Sequence, residues 1–310
     1  MRQKLQELPE TNRPTSMSRR HPLATFFGLA YGISWLLWAP LWLPAFGVDG
    51  LPVLPFHHAL GALGPIAAAF LVSATETGLA GPRDLLRRMG LWRGRLVWVA
   101  VALLAPFALL ALAVVGAWVF GGESVSLAGF GSSREFPQFS ALGFLAYNIV
   151  SFGYGEEVGW RGFALPRLQT RHSALVASLL LTLGWALWHT PLFFYRPGYT
   201  SMAPADIAGW FFSLLTGAVL LTWLYNESRG SLLVVALFHA AVDVVFTSDI
   251  SSQFVVTAAG VLITFWGIIV LVAAGPGYLS RRGKMVRLYN GNAVTGFVHR
   301  DGTAEGSRHG

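Results

Sequence analysis

Ionisable side chains occur inside three apolar stretches in the second half of the chain, where a membrane segment normally excludes them. They are Glu156, Glu157 and Arg161 in the first stretch, His189 in the second, and His239 and Asp243 in the third. A carboxylate beside an imidazole can take a proton from water and make it a nucleophile. A second imidazole can donate a hydrogen bond to the oxyanion that forms when this water attacks a carbonyl. Together these groups have the chemistry needed to hydrolyse an amide without Ser, Cys or metal.

The spacing within each stretch predicts which side chains share a helix face. Glu157 and Arg161 are four residues apart with Glu first, which is the favourable order for an ion pair on one face. Glu156 is rotated from Glu157 by about 100° and points elsewhere on the helix. Taken alone, the Glu157–Arg161 pair is typical of a structural ion pair. His239 and Asp243 are also four residues apart, so they share a face.

Two other uses of the same residues stay open at the level of sequence. Glu156, His189 and His239 form a ligand set that zinc accepts, although the familiar HExxH helix is absent and the ligands would come from three helices. The three residues could instead relay protons through a transporter, but no internal repeat of the transporter kind is visible. The absence of cysteine excludes disulfides, thiolate nucleophiles and cysteine-bound zinc. No cofactor is predicted.

The composition indicates that these stretches lie in a membrane. Hydrophobic residues make up 54% of the chain and charged residues only 12%, about half of the roughly 25% that is typical of soluble domains. The apolar runs of about twenty residues are continuous, whereas the strands of a membrane barrel would alternate. The sequence therefore predicts an all-α, polytopic helical membrane protein with about eight transmembrane helices. The predicted spans are 24–46, 57–75, 96–120, 141–157, 172–194, 205–225, 231–247 and 252–274.

The distribution of basic residues predicts the orientation. With eight spans and a cytoplasmic N-terminus, all of the 22 Lys and Arg residues except Arg134 and Arg196 fall on the cytoplasmic side. Because this asymmetry agrees with the positive-inside rule, both termini of this multi-pass protein of the cell membrane are predicted to be cytoplasmic. The net charge of +7 follows from the same basic loops facing anionic lipid headgroups. Nucleic acid is not a predicted partner, because no basic stripe with interleaved aromatic residues lies outside the spans.

Three regions are predicted along the chain. Residues 1–23 form a cytoplasmic N-terminal segment, and residues 24–280 form the eight-helix membrane domain. Residues 281–310 are predicted to be a basic, flexible cytoplasmic tail, since the end of the chain is Gly-rich and polar. His57 and His58, at the start of the second span, are predicted to lie at the membrane interface.

Three short motifs occur in order on the predicted helices. They are EExxxR at Glu156, Glu157 and Arg161, WxxxH at Trp185 and His189, and HxxxD at His239 and Asp243. In this order they resemble the motifs of the CPBP family of intramembrane endopeptidases, which includes the Ras-converting CAAX protease and the bacterial Abi-type proteins. The second motif of that family is usually FxxxH. The turn Leu63-Gly64-Pro65 also resembles family members, and the similarity covers roughly residues 57–247, the predicted catalytic core.

The resemblance implies an intramembrane endopeptidase, a glutamate-type hydrolase, whose partners are the lipid bilayer and a membrane-associated peptide or protein substrate. The implied roles are water activation by Glu156 and His189, support from Glu157 and Arg161, and oxyanion stabilisation by His239 with Asp243. The family opens this site to the cytoplasmic side, so a cytoplasmic opening is expected here. Trp185 changes the volume beside His189 and is expected to reshape the pocket without abolishing the chemistry. A non-catalytic membrane scaffold or immunity protein of the same fold is the alternative.

Overall fold

The computed structural model describes residues 21–92, 95–121, 124–133, 138–250, 252–290 and 292–306. Arg134 and most of the predicted N-terminal segment 1–23 lie outside these described residues. The described chain is mostly helical, with one small antiparallel sheet near its carboxyl end.

The described residues of the first half of the chain contribute six helices to the domain. They are α1 Pro22–Leu37, α2 Ala39–Trp42, α3 His57–Ala62, α4 Gly64–Thr77, α5 Ala80–Met89 and α6 Leu96–Gly121. The second half contributes α7 Ala141–Asn148, α8 Gly155–Glu157, α9 Leu165–Arg171, α10 Ala174–Trp188, α11 Pro204–Glu227, α12 Leu232–Thr247 and α13 Gln253–Ala274. The π-helical segments Ile149–Tyr154 and Val158–Ala164 join α7, α8 and α9 into one continuous helical stretch. Short 3₁₀ segments, Leu43–Phe46 and Thr190–Phe194, follow α2 and α10.

Six of the predicted spans coincide with helical segments that are long and apolar enough to cross a membrane. Five are His57–Thr77, Leu96–Gly121, Ala174–Tyr195, Pro204–Glu227 and Gln253–Ala274. The sixth is the pair Pro22–Leu37 and Ala39–Phe46, which is bent by 56°. The predicted class, a polytopic helical membrane protein, is therefore confirmed.

The count of eight spans stays a prediction, as does the orientation of the termini. The predicted span 231–247 falls on α12, which has 16 residues and a length of about 24 Å, against a hydrocarbon layer of about 30 Å. The predicted span 141–157 covers only the first part of the continuous helical stretch that ends at Arg171. Both segments carry ionisable groups of the predicted site, as does the predicted span 172–194 with His189.

Apolar side chains cover the outside of the bundle as well as its centre. Leu104, Trp118 and Val272 are 60%, 70% and 79% exposed on long helices, which is the pattern of side chains that face lipid. Trp160 and Trp188 are almost completely buried between the helices. The aromatic residues thus form part of the packed core that surrounds the polar groups.

Polar contacts fix α1 against the helices around it. Ser34 Oγ donates a 2.7 Å hydrogen bond to the Gly61 carbonyl and accepts one of 2.7 Å from Trp188 Nε1. Gly64 leaves the necessary space, because a Cβ at this position would lie 2.1 Å from Ser34 Oγ. Hydrogen bonds between buried side chains stabilise helix association inside a membrane. Ser34 therefore connects α1 to α3 and to the end of α10.

The prediction of a flexible tail is wrong for residues 283–306. They form the strands β1 Gly283–Asn290, β2 Asn292–His299 and β3 Ala304–Gly306, in an antiparallel sheet of order β1-β2-β3. Gln169 Nε2 donates to the Met285 carbonyl at 2.8 Å, and Asn226 Oδ1 accepts from the Met285 N–H at 3.0 Å. These buried amides provide partners for β1 that composition alone does not reveal.

Candidate active site

Two tryptophan side chains hold Glu156. Its Oε2 atom accepts hydrogen bonds from Trp185 Nε1 at 2.7 Å and from Trp160 Nε1 at 3.3 Å. Among the described residues no hydrogen bond reaches Oε1, and the side chain lines a large cavity. One carboxylate oxygen is therefore fixed by protein donors, while the other is available to a molecule in the cavity. Trp185 does more than change the volume of the pocket, since Phe at this position could not donate this bond.

Glu157 connects the predicted ion pair to the seventh predicted span. Its Oε1 atom accepts a 2.9 Å hydrogen bond from Arg161 Nη1 and a 2.7 Å hydrogen bond from His239 Nδ1. The side chains of Glu157 and Arg161 have no exposed surface. The guanidinium of Arg161 also lies over the Trp185 ring, 4.7 Å from its centroid. The predicted ion pair is present, and it also orients an imidazole on another helix.

His189 follows the last residue of α10 and is oriented by a backbone carbonyl. Its Nδ1 atom lies 2.7 Å from the Trp185 carbonyl oxygen. Because a carbonyl only accepts, Nδ1 carries the proton and Nε2 carries the lone pair of the neutral ring. The ring centroids of Trp188, Trp210 and Tyr199 lie 4.9, 5.6 and 6.3 Å from that of His189. The surrounding aromatic rings thus hold His189, and Nε2 is its nitrogen that can act as a base.

His239 lies between two carboxylates. Its Nδ1 atom bonds to Glu157, and its Nε2 atom lies 3.7 Å from Asp243 Oδ2. The second distance is too long for a hydrogen bond but short enough for an ion pair. Nε2 can donate to a bound carbonyl only when both ring nitrogens carry protons. Glu157 and Asp243 supply the negative charge that this positively charged form needs beside it.

A cavity of about 1290 Å³ brings the predicted residues together. Glu156, His189, His239 and Asp243 line it, whereas Glu157 and Arg161 lie behind its wall. Much of the remaining wall is aromatic and includes Trp38, Phe144, Phe152, Trp210, Phe238 and Phe246. A concave, mostly apolar cavity with a few convergent polar groups is typical of a ligand site.

Glycines allow the helix that carries Glu156 to approach its neighbours closely. A Cβ on Gly159 would lie 2.6 Å from Pro65 Cβ, and one on Gly153 would lie 2.5 Å from the Ala236 carbonyl oxygen. Any side chain at either position would therefore push this helix away from α4 or α12. The π-helical segments on both sides of α8 widen the turns next to Glu156, and such segments are frequent at functional sites. Pro65 of the Leu63-Gly64-Pro65 turn thus has a packing role.

His58, which the sequence analysis predicts to lie at the membrane interface together with His57, lines the cavity. Its ring lines the cavity, lies 5.5 Å from the Trp38 ring in a parallel stack, and places Nδ1 2.7 Å from the Tyr195 hydroxyl. His57 is instead buried, accepts a backbone N–H at Nδ1 and contacts the Leu37 carbonyl through Nε2 at 2.6 Å. Because His57 and His58 are adjacent in the sequence, no sequence pattern predicts that one lines the cavity and the other is bonded to the backbone.

The alternative metal ligands are largely engaged in other contacts. Glu156 Oε2 accepts two indole N–H groups, and the Nδ1 atoms of His189 and His239 are bonded to a carbonyl and a carboxylate. Within the described ranges, no group of three or more His, Asp or Glu side chains has an arrangement that could hold a metal ion. The atoms of these three side chains that are left for a ligand are Glu156 Oε1 and the Nε2 atoms of His189 and His239.

Part of the chain that lines the cavity is similar to a known protein family. Residues 138–245 match the family described as Rce1-like, type II CAAX prenyl endopeptidase Rce1-like. The chain is also similar to CAAX prenyl protease 2 of Methanococcus maripaludis, with 28% identity over 234 residues, which cover 74% of this chain and 81% of that protein. The Rce1-like segment includes all four predicted catalytic residues of the cavity, from Glu156 to Asp243.

Proposed function

We propose that this Rce1-like protein is an intramembrane endopeptidase of the glutamate type. In this proposal Glu156 and His189 activate water, while His239, assisted by Asp243, stabilises the oxyanion. One observation supports it above all: these side chains come from three separate helical segments and line a single cavity. The similarity of residues 138–245 to an endopeptidase family supports the same activity.

Glu156 is the base that removes a proton from the nucleophilic water. Glu156 lines the cavity, and no hydrogen bond from the described residues reaches its Oε1 atom, while the two indole N–H groups on Oε2 keep the carboxylate in one orientation. His189 Nε2 accepts the second O–H of the same water and fixes its direction. The water oxygen then forms a bond to the substrate carbonyl carbon, and the electron pair of the C=O bond moves to the oxygen.

His239 completes the reaction by stabilising the negative oxygen. A proton on Nε2 forms a hydrogen bond to the oxyanion, and Glu157 holds the ring through Nδ1. When the tetrahedral intermediate collapses, the C=O bond forms again and the C–N bond breaks. Glu156 then returns its proton to the leaving amine. Asp243 interacts with the His239 ring, and the oxyanion is contacted by His239 Nε2 alone, because an ionised carboxylate would repel the oxyanion.

The proposed substrate is a peptide or protein associated with the membrane. The aromatic cavity wall suits an apolar segment or a hydrophobic modification. The similar archaeal protein is named a CAAX prenyl protease, so prenylated peptides are one class that this chain is proposed to accept. Matched peptides with and without the prenyl group distinguish recognition of the lipid from recognition of the apolar peptide.

The test uses purified full-length protein with this peptide panel. Glu156→Ala and His189→Ala should each abolish cleavage while the proteins still insert and purify normally. His172→Ala is the matched control, since His172 is an exposed residue outside the cavity, and it should cleave like the unmodified protein. Unchanged cleavage by Glu156→Ala would falsify the assignment.

Two other outcomes correspond to the alternative functions. If the unmodified protein cleaves no peptide in membranes or in detergent, a non-catalytic scaffold or immunity protein of the same fold replaces the endopeptidase. If Glu156 and His189 are needed for proton-coupled uptake into proteoliposomes, the transporter replaces it.

A further inference from the structure

His58 is a polar residue of the cavity that the proposed reaction does not use. It is the second residue of α3, it is partly exposed, and it lines the cavity together with the proposed catalytic residues. An imidazole in a membrane segment is expensive unless it has polar partners. The contacts of its ring show what its role in the cavity is.

Aromatic packing holds the His58 ring in one position. The Trp38 ring is stacked on it, with centroids 5.5 Å apart and planes 10° from parallel, and Trp38 Nε1 donates a 2.7 Å hydrogen bond to the His58 carbonyl. The Phe152 ring lies 5.5 Å away. Gly61 leaves the space for Trp38, because a Cβ at this position would lie 2.1 Å from Trp38 Nε1. The position of this imidazole is therefore built into the packing of three segments.

Only one of the two ring nitrogens has a hydrogen-bond partner in the protein. Nδ1 of His58 lies 2.7 Å from the Tyr195 hydroxyl. Among the described residues, no hydrogen bond involves Nε2. A neutral imidazole carries a donor on one nitrogen and an acceptor on the other, and a tyrosine hydroxyl can pair with either. Nε2 therefore offers one hydrogen bond, from a fixed position, to a molecule in the cavity.

His58 is separate from the proposed catalytic group. The Trp38 ring contacts the Trp188 ring at 4.8 Å, and the Trp188 ring contacts His189 at 4.9 Å. Within the part of the chain that the structure describes, no hydrogen bond or ring contact joins His58 to His189 directly. Two indoles thus connect the two imidazoles along the cavity wall. His58 is a second place at which the cavity can hold a substrate.

Phe152 gives the distance from His58 to the proposed base. Phe152 and Glu156 are four residues apart on one helical stretch, and both line the cavity. This spacing is about one helical turn, or roughly 5 Å. An extended peptide advances about 3.3 Å per residue. A peptide whose scissile carbonyl lies at Glu156 therefore places a main-chain group about two residues away beside His58.

We infer that His58 Nε2 binds a main-chain peptide group of the substrate about two residues from the scissile bond, and that the Tyr195 hydroxyl orients the ring for this contact. The inference rests on the proposed endopeptidase function and adds a binding contact to it. A peptide that enters the aromatic cavity loses the water bound to its N–H and C=O groups, which is costly unless a protein group replaces that water. His58 supplies such a group where the surrounding side chains are Trp38 and Phe152.

A binding experiment separates this contact from the chemistry. Full-length Glu156→Ala protein is mixed with a fluorescent prenylated peptide and with its unprenylated match, and Kd is measured for each. Adding His58→Phe keeps a ring against Trp38 but removes Nε2, so Kd should rise by about 3- to 10-fold for both peptides. His58→Gln, whose amide extends about as far as Nε2, should recover most of this loss. The matched control is His172→Phe at an exposed position outside the cavity, which should leave Kd unchanged.

Peptides with one ester bond locate the contact. Replacement of one amide by an ester removes its N–H and weakens its carbonyl as an acceptor. In the Glu156→Ala protein, the replacement about two residues from the scissile bond should raise Kd by about threefold or more, and it should have no further effect once His58→Phe is present. A purely structural role of His58 would weaken binding of all these peptides by the same factor. That result would overturn the inference, as would an unchanged Kd with His58→Phe or no binding of either peptide.

Kinetics of the otherwise unmodified protein provide a second readout. His58→Phe should raise KM by about 3- to 10-fold with kcat nearly unchanged, because the contact is made equally in the bound substrate and in the transition state. A fall in kcat at constant KM would overturn the inference. If the unmodified protein cleaves no peptide, the proposed endopeptidase fails. The ester peptides still decide the inference in that case, since loss of a single ester effect with His58→Phe supports the contact and equal effects at all positions contradict it.

Discussion

Trp185 Nε1 donates a 2.7 Å hydrogen bond to Glu156 Oε2 and so links the second sequence motif directly to the first. The same indole ring lies under the Arg161 guanidinium, and its backbone carbonyl accepts from His189 Nδ1. One residue thus contacts three members of the proposed site. In the CPBP family that this chain resembles, Phe is usual at this position and offers no N–H.

Trp185→Phe tests the importance of this hydrogen bond. A hydrogen bond to a charged group contributes about 1.5–3 kcal/mol, so kcat should fall by roughly 10- to 100-fold while KM changes little. Trp223→Phe, a replacement of the same kind remote from Glu156, should leave kcat unchanged. Equal kcat values for Trp185→Phe and the unmodified protein would mean that Trp160 alone orients the carboxylate.

Asp243→Asn tests whether Asp243 acts through its charge. Asp243 Oδ2 is 3.7 Å from His239 Nε2, a distance at which charge contributes and hydrogen-bond geometry is poor. We expect kcat to fall by about tenfold or more, since opposite charges about 4 Å apart interact strongly in a protein interior. Peptide cleavage by the purified variant measures this effect.

The control for this variant is Asp301→Asn, because Asp301 is exposed near the sheet and away from the cavity. It should cleave peptide like the unmodified protein. Full activity of Asp243→Asn would instead mean that a neutral amide replaces the carboxylate and that simple hydrogen bonding is sufficient.

Gly159→Ala tests the close contact between the catalytic helix and α4. The new Cβ would lie 2.6 Å from Pro65 Cβ, and overpacking of this kind typically costs about 1–3 kcal/mol. The Tm of the purified protein in detergent should fall, and activity should fall with it. Gly116→Ala on α6 meets no atom within 4 Å and should keep or slightly raise the Tm. A Tm for Gly159→Ala equal to that of Gly116→Ala would contradict the packing argument.

Chelation separates the proposed mechanism from the zinc alternative. Within the described ranges no group of three or more His, Asp or Glu side chains is arranged to hold a metal ion, so we expect full activity after dialysis against a strong chelator. Elemental analysis of the active protein provides the second measurement. Loss of activity that added Zn²⁺ restores would replace the glutamate mechanism with a metal-dependent one.

The sequence predicts the helical membrane class and the convergent polar residues for a clear physical reason. Ionisable groups in apolar segments are expensive, so Glu156, His189 and His239 stand out from their surroundings without any alignment. The i,i+4 spacing also predicts the Glu157–Arg161 pair correctly. In contrast, the bond from His239 to Glu157 joins residues 82 positions apart, and no local pattern specifies it.

Other features depend on contacts that a single sequence does not display. The π-helical segments beside Glu156 have no residue signature, and the positions of His57 and His58 are decided by the helices packed around them. The sheet does have a local signal, because Asn290-Gly291 between two strand-like runs is typical of a hairpin turn. The Gly-rich, polar composition of the region conceals this signal, and the amides that hold β1 lie more than 50 residues earlier.

Several tryptophan side chains surround the polar groups of the cavity, so the native protein carries an intrinsic fluorescent reporter. Trp160 and Trp185 bond to one carboxylate, and the rings of Trp188 and Trp210 contact His189. Since indole emission responds to nearby charge and to solvent, a ligand that enters this space changes the fluorescence of an unlabelled sample. Inhibitor screening against this protein therefore requires neither a dye nor a known substrate.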